Sequence, residues 1–264
     1  TIFASAFLLF LVQPIIAKQI LPWFGGSAAV WTTCLVFFQA ALLGGYAYAD
    51  VVVRRIDNRK QVLLHGALLA ASLLLLPIVP GAFWKPSGAE NPAALILGLL
   101  TVTLGLPYFL LSATSPLLQA WFARRYPGRN PYRLFALSNL ASLLALVCYP
   151  FLLEPWVPTR TQALGWSVGY GIFVVLCAVT AWTSIRGAPR PAVVGSGSAE
   201  IVVPPAGPPP PWSRSLLWCA LAATGSVLLL SVTNHITQNI AAVPLLWIVP
   251  LTLYLLTFIL NFDS

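Results

Sequence analysis

Hydrophobic residues occur in eight long runs along the chain, and short segments containing Gly, Pro or polar residues separate these runs. An α-helix needs about 20 consecutive apolar residues to cross the hydrocarbon core of a bilayer, and the runs are of that length. The pattern therefore predicts an all-α, polytopic membrane helical bundle with about eight transmembrane helices. The predicted spans are about 2–22, 28–53, 62–81, 93–121, 134–153, 162–185, 215–238 and 243–261.

Composition supports this class. Hydrophobic residues make up 59% of the 264 residues and charged residues only 8%, and the mean hydropathy is +0.86. Soluble domains carry about 25% charged residues, so this composition excludes an ordinary soluble domain. Membrane lipids are the predicted surroundings.

The segment 187–213 differs from the rest because Pro, Gly and Ser dominate it. Such a composition predicts an extended linker. It divides the chain into a six-helix bundle at 1–186 and two further transmembrane helices at 214–264. Because the chain contains no Met and stops directly after the last predicted span, we expect it to be a fragment of a longer product.

The net charge of +8 is a topology signal rather than a nucleic-acid signal. Eleven of the fourteen Lys and Arg residues fall in the loops after predicted spans 2, 4 and 6. The positive-inside rule places these loops and both termini in the cytoplasm, with anionic lipid headgroups as the partners of the basic side chains. The other three basic residues, on or toward the opposite side, are Lys18, Lys85 and Arg160.

Polar side chains inside the first span need a partner, a cavity or a function, because lipid offers no hydrogen bonds. Gln13 precedes Pro14, and Lys18 follows about one turn later. One interpretation is that the Lys18 stem extends its ammonium group to the interface. The other is that Lys18 faces a central cavity, where it meets a carboxylate such as Glu154 or an anionic substrate group.

The second span carries Gln39, Tyr46 and Asp50, whose spacings of seven and eleven residues place them on one helix face. Asp50 precedes Arg54 by four residues, which favours an ion pair at the cytoplasmic end. This pair is either a local helix-end salt bridge or a gate contact that breaks and forms again during movement.

Two more polar groups are candidates for a cavity. Asn139 lies on a face of small residues, which suits either helix packing or substrate contact. Near the outer end of the seventh span, Ser231, His235, Gln238 and Asn239 share one side of a helix. This group is either a structural cap or a substrate-facing patch in which His235 titrates or donates a hydrogen bond.

No catalytic residue, metal site or cofactor is predicted. The sequence contains none of the Gly-rich nucleotide, nucleophile-elbow or zinc-protease motifs. One His with amides supplies too few ligands for a metal. The four cysteines all lie in apolar runs without C-x-x-C spacing, so neither a disulfide framework nor a zinc site is predicted.

Four stretches carry a family resemblance, and they are 7–50, 105–124, 131–155 and 235–260. They include "FLLFLVQPIIAKQILPW", "GLPYFLLSATSPLLQAWFAR", "SNLASLLALVCYPFLLEP" and "HITQNIAAVPLLWIVP". Together they resemble the membrane part of the bacterial fused transporter-like/spermidine-synthase-like proteins. The resemblance implies a major-facilitator-like bundle in the bacterial inner membrane, in which Gly45, Asp50 and Arg54 match the motif after the second helix.

In that family a cytosolic domain similar to aminopropyltransferases follows the membrane part, and no such domain lies in this chain. The first functional hypothesis is thus a transporter-like module that binds or moves a small polar, polyamine-related metabolite. One alternative is a non-transporting scaffold subunit among other membrane protein subunits. Another is the membrane anchor of an aminopropyltransferase whose catalytic domain is absent here.

Overall fold

The computed structural model describes residues 1–88, 90–126, 132–186, 211–239 and 248–262. Within these ranges the secondary structure is helical and no strand occurs, which confirms the all-α class. The α-helices of these ranges are α1 (Ile2–Phe24), α2 (Ala28–Arg55), α3 (Asn58–Ser72), α4 (Pro92–Leu100), α5 (Leu106–Arg125), α6 (Tyr132–Cys148), α7 (Thr159–Arg186), α8 (Trp212–Asn239) and α9 (Ile248–Phe262).

Six spans of the described chain are long and apolar enough to cross a membrane. They correspond to α1, α2, the continuous segment Pro92–Arg125, α6, α7 and α8. Within the described residues, α3 and α9 have 15 residues each, which is less than a full crossing requires, and of these two only α9 contains a short apolar segment, Val249–Leu260. The protein is therefore a helical membrane bundle. Most of the predicted linker, 187–210, lies outside the described residues, and α8 begins at Trp212.

The third span was predicted to continue to residue 81, and this was wrong. The α3 helix ends at Ser72 and one 3₁₀ turn follows at Leu73–Leu75. Leu76 then adopts an extended conformation, with φ −85° and ψ 149°. The reason is Pro77, because a proline ring disfavours helical geometry in the residue before it.

Two spans contain a π-helical turn beside a proline. The first turn, Thr101–Gly105, joins α4 to α5 just before Pro107. The second, Tyr149–Leu153, continues α6 and includes Pro150, and the Glu154 N–H donates to the Tyr149 carbonyl at 2.8 Å across five residues. These wide turns let the helix continue where proline supplies no backbone donor, and they are typical positions of a bend.

The α1 helix is at the centre of the bundle, where it contacts α5, α6 and α7. Its residues Val12, Ile15 and Ile16 are almost completely buried. By contrast, no described side chain of α8 is buried. Helix hydrophobicity alone does not distinguish these two positions, because both helices are apolar. The bundle places the Gln13 side of α1 next to α5 and α6, and this arrangement forms the cavity described below.

Candidate binding cavity

A cavity of about 530 Å³ lies inside the bundle. Side chains of α1, α2, α5, α6, α8 and α9 line it, so residues far apart in the sequence form one wall. Small-molecule sites in proteins commonly measure about 300–1,000 Å³. The cavity therefore has room for a metabolite of ordinary size.

Four of the predicted cavity residues line this wall: Gln13, Gln39, Tyr46 and Asn139. Gln13 is buried, at 8% exposure, and its Nε2 donates to the Tyr108 hydroxyl oxygen at 3.1 Å. This bond joins α1 to α5 and orients the Gln13 amide. Gln39 and Tyr46 lie on α2 and are exposed, as expected for groups that border an open space.

The α6 wall consists of Ser138, Asn139 and Ser142 together with Phe135. The Asn139 Nδ2 donates to the Phe135 carbonyl at 3.1 Å, and the Ser142 hydroxyl donates to the Ser138 carbonyl at 3.0 Å. These bonds within the helix satisfy one donor of each side chain. The Asn139 amide has a second N–H and a carbonyl oxygen, so it retains hydrogen-bonding capacity on the cavity side.

The α5 wall was missed by the sequence analysis. Tyr108, Ser112, Ser115 and Gln119 all line the cavity, and the Gln119 Nε2 donates to the Ser115 hydroxyl at 3.2 Å. Their spacings of four, three and four residues place them on one face of a helix. That polar stripe is visible in the sequence and could have identified α5 as a cavity helix.

The described lining of the cavity contains no Asp, Glu, Lys or Arg. Its polar groups are amides and hydroxyls. Among the residues that the structure describes, His, Cys, Asp and Glu form no group of three or more that could hold a metal ion. The described lining can therefore form hydrogen bonds to a ligand beside apolar and aromatic surface, and it contains no nucleophile–base pair.

Lys18 does not line the cavity. Its ammonium nitrogen lies 3.0 Å from the Glu154 Oε1, and both side chains are about one-third exposed, at 35% and 30%. The pair joins α1 to the end of the second π-helical turn. Of the two interpretations of Lys18, the structure shows the contact with a carboxylate, at a position outside the described cavity wall.

Asp50 and Arg54 form an ion pair within α2, with 2.7 Å between the Asp50 Oδ1 and the Arg54 Nε. Their side chains are 55% and 75% exposed, and neither lines the cavity. This geometry is that of a helix-end salt bridge in the conformation described. A gate role for the pair stays a prediction.

The group at the end of α8 lies apart from the described lining. His235 and Asn239 are exposed, and the Asn239 Nδ2 donates to the His235 carbonyl at 2.9 Å and lies 3.0 Å from the His235 Nδ1. Both contacts link residues four apart in one helix. The side chain of Gln238 lies outside the described residues.

A second polar cluster, between α3 and α5, was also missed. The fully buried Gln61 accepts hydrogen bonds from the Trp121 Nε1 at 3.0 Å and the Arg124 Nη1 at 3.3 Å. One turn along α3, the buried His65 Nε2 lies 3.3 Å from the Thr114 hydroxyl. The available signal was the spacing of four residues between Gln61, just before the predicted third span, and His65 within it. This cluster ties two helices together, as interhelical polar contacts do in membranes.

The chain matches no protein-family model, and comparisons with curated proteins and with solved structures return no match. The geometry of the cavity and the pattern of the sequence are therefore the features that indicate a function.

Proposed function

We propose that this chain is a transporter-like integral membrane module that binds a small polar metabolite in the cavity between α1, α2, α5, α6, α8 and α9. The observation that carries the proposal is the concentration of amides and hydroxyls around a space of about 530 Å³. Polar side chains are costly inside a membrane and commonly mark a substrate path. Here they line a volume that suits a small molecule.

The membrane location proposed is the bacterial inner membrane, and the module proposed is the major-facilitator-like part of a transporter-like/spermidine-synthase-like fusion protein. The four motifs quoted above support this assignment. The excess of Lys and Arg on one side supports cytoplasmic termini. In this arrangement the Asp50–Arg54 pair at the end of α2 lies at the cytoplasmic mouth.

A scaffold role in a larger membrane complex is the second candidate, and one observation favours it. No described side chain of α8 is buried, and its exposed apolar residues include Leu217, Trp218 and Leu221. Another membrane subunit could cover this face. A scaffold of that kind has no use for a polar cavity, and for this reason the transport-like proposal ranks first.

The test fills the cavity. Ser115 lines it on α5, so Ser115→Phe places an aromatic ring in the space that a metabolite would occupy. The control is Val175→Phe on α7, where the side chain is 62% exposed and does not line the cavity. The measurement is the melting temperature of the purified protein in detergent, with and without a panel of small polar metabolites.

We expect at least one metabolite to raise the melting temperature of the wild type and of Val175→Phe, and to leave that of Ser115→Phe unchanged. Ligand-free protein of all three forms should melt within a few degrees of one another. A panel response that persists in Ser115→Phe contradicts binding in this cavity. Absence of any response, together with co-purification of a membrane partner along α8, favours the scaffold.

A further inference from the structure

We infer that the cavity selects an uncharged, flat heteroaromatic molecule that carries hydrogen-bond donors and acceptors, in preference to a polyamine or another ion. This inference rests on the proposed function and specifies its substrate class. Three properties of the described wall lead to it: the absence of ionised groups, the presence of amides, and the share of aromatic surface.

The first property concerns charge. The described lining has no carboxylate to neutralise an ammonium group and no Lys or Arg to neutralise a phosphate or carboxylate. An ion that enters a low-dielectric space without a counter-charge loses its hydration without compensation. The ion pairs Lys18–Glu154 and Asp50–Arg54 satisfy their own charges and do not line the cavity. A polyamine thus finds no counter-charge on this described wall.

The second property concerns hydrogen bonding. Four amide side chains line the cavity, and they come from α1, α2, α5 and α6: Gln13, Gln39, Gln119 and Asn139. Each amide presents both donors and an acceptor. The hydrogen bond from Gln13 to Tyr108 uses one N–H of the Gln13 amide and fixes the orientation of its other N–H and of its carbonyl oxygen. Such a wall pairs well with a ligand whose edge alternates donors and acceptors.

The third property concerns shape. Aromatic side chains line several parts of the wall, and two pairs of them are in contact. The ring centroids of Phe38 and Tyr108 are 5.1 Å apart, and those of Tyr254 and Phe258 are 4.9 Å apart. Aromatic faces bind flat apolar bodies by burial and by stacked or edge contacts. A planar heteroaromatic ring provides such a body, whereas a flexible polyamine chain does not.

The experiment compares uncharged and charged probes, and one pair of them, adenosine and adenosine monophosphate, differs only in a phosphate group. The probes are adenosine, uridine and nicotinamide as uncharged heteroaromatic compounds, adenosine monophosphate as the anionic match of adenosine, and spermidine as the polycation. Binding to the purified full chain in detergent is followed by melting temperature and by titration calorimetry. The variants are Gln13→Leu and Gln39→Leu, which remove an amide from the wall.

Gln19→Leu is the matched control. Gln19 lies on the same helix six residues after Gln13, and it does not line the cavity. We expect at least one uncharged probe to stabilise the wild type and Gln19→Leu equally. Its affinity should fall about five- to tenfold in Gln13→Leu or Gln39→Leu, which is the effect of one lost hydrogen bond. Adenosine monophosphate and spermidine should leave the melting temperature unchanged.

Three outcomes overturn the inference. The first is that spermidine or adenosine monophosphate raises the melting temperature more than every uncharged probe does, and that this rise is smaller in Gln13→Leu. The cavity would then still be the binding site, but its ligand would be an ion. The second is an uncharged probe whose affinity is the same in wild type and both amide variants. The third is that none of the five probes changes the melting temperature or gives a heat of binding. The proposed function fails separately, when filling the cavity by Ser115→Phe alters no metabolite response. Because Gln39 is exposed, its variant keeps the test valid even where Gln13→Leu does not fold.

Discussion

The Gln13 side-chain nitrogen donates to the Tyr108 hydroxyl oxygen over 3.1 Å, and this bond connects α1 to α5 across 95 positions of the sequence. Both residues are buried and both line the cavity. Tyr108 in turn packs against Phe38 of α2. The Gln13–Tyr108 bond therefore connects the central helix α1 to an aromatic pair of the cavity wall.

Removing the Tyr108 hydroxyl tests this contact. We expect Tyr108→Phe to lower the free energy of unfolding by about 1 kcal/mol, because the buried Gln13 amide loses its partner while the ring packing stays. The measurement is thermal or denaturant unfolding in detergent. Tyr46→Phe is the control, since the Tyr46 side chain is 49% exposed on the same cavity and should cost less. Equal losses in the two variants would contradict a structural role for the Gln13–Tyr108 bond.

The close approach of α2 and α5 depends on Gly45. A Cβ atom at this position would overlap the Ser112 Oγ and would lie 2.8 Å from the Phe109 carbonyl oxygen. We expect Gly45→Ala to destabilise the protein by about 1–3 kcal/mol, because overpacking forces the two helices apart. Gly44→Ala is the adjacent control, where the nearest atom, Phe109 Cε2, is 3.5 Å away.

The comparison uses unfolding of both variants under one condition. Gly44→Ala should be close to neutral, because 3.5 Å is an ordinary van der Waals distance. Similar stability of the two variants would show that the backbones of α2 and α5 are not held at this distance.

Lys18 and Glu154 should be energetically coupled. Their side chains are about one-third exposed, so solvent weakens the attraction and we expect a coupling of about 0.5–1 kcal/mol. The measurement is a double-mutant cycle with Lys18→Met, Glu154→Gln and the double variant, repeated at low and high salt. The coupling should fall at high salt. Strictly additive effects would instead mean that Lys18 extends to the interface without using Glu154.

Asp50→Asn should change the free energy of unfolding by at most about 1 kcal/mol, because Asp50 and Arg54 form an exposed pair within one helix. The reaction rate of a cysteine thiol placed at the cavity wall measures how accessible the cavity is to solvent. In a variant without the four native cysteines, Gln39→Cys should react with a soluble maleimide at the same rate with and without Asp50→Asn. A clear change in that rate would show that the Asp50–Arg54 pair acts as a gate contact and is more than a helix-end salt bridge.

The orientation in the membrane can be tested with two single cysteines in the same background. Positive-inside asymmetry predicts that Ser87→Cys, in the exposed turn before α4, reacts with a membrane-impermeant maleimide on intact cells. Asp57→Cys, in the exposed segment between α2 and α3, should react only after permeabilisation. The reverse result would invert the topology.

The length and polarity of the apolar runs determined the fold class from sequence alone. A run such as 2–22 cannot leave its backbone groups unpaired in lipid, so it must form a helix, and α1 has almost those bounds. Pro77 shows the limit of this reasoning. A hydropathy pattern does not register the backbone effect of one proline, and α3 ends before it.

The site depended on tertiary packing. Polar groups in apolar spans identified Gln13, Gln39, Tyr46 and Asn139, because an intramembrane amide or phenol needs a partner or a cavity wherever it lies. The same rule could not separate them from His235, since a helix pattern gives a face but not the neighbour of that face. Only the assembled bundle decides that α1 is buried and that α8 is exposed. The physical reason is that lipid and protein interiors are equally apolar, so hydrophobicity carries little information about which helix faces which.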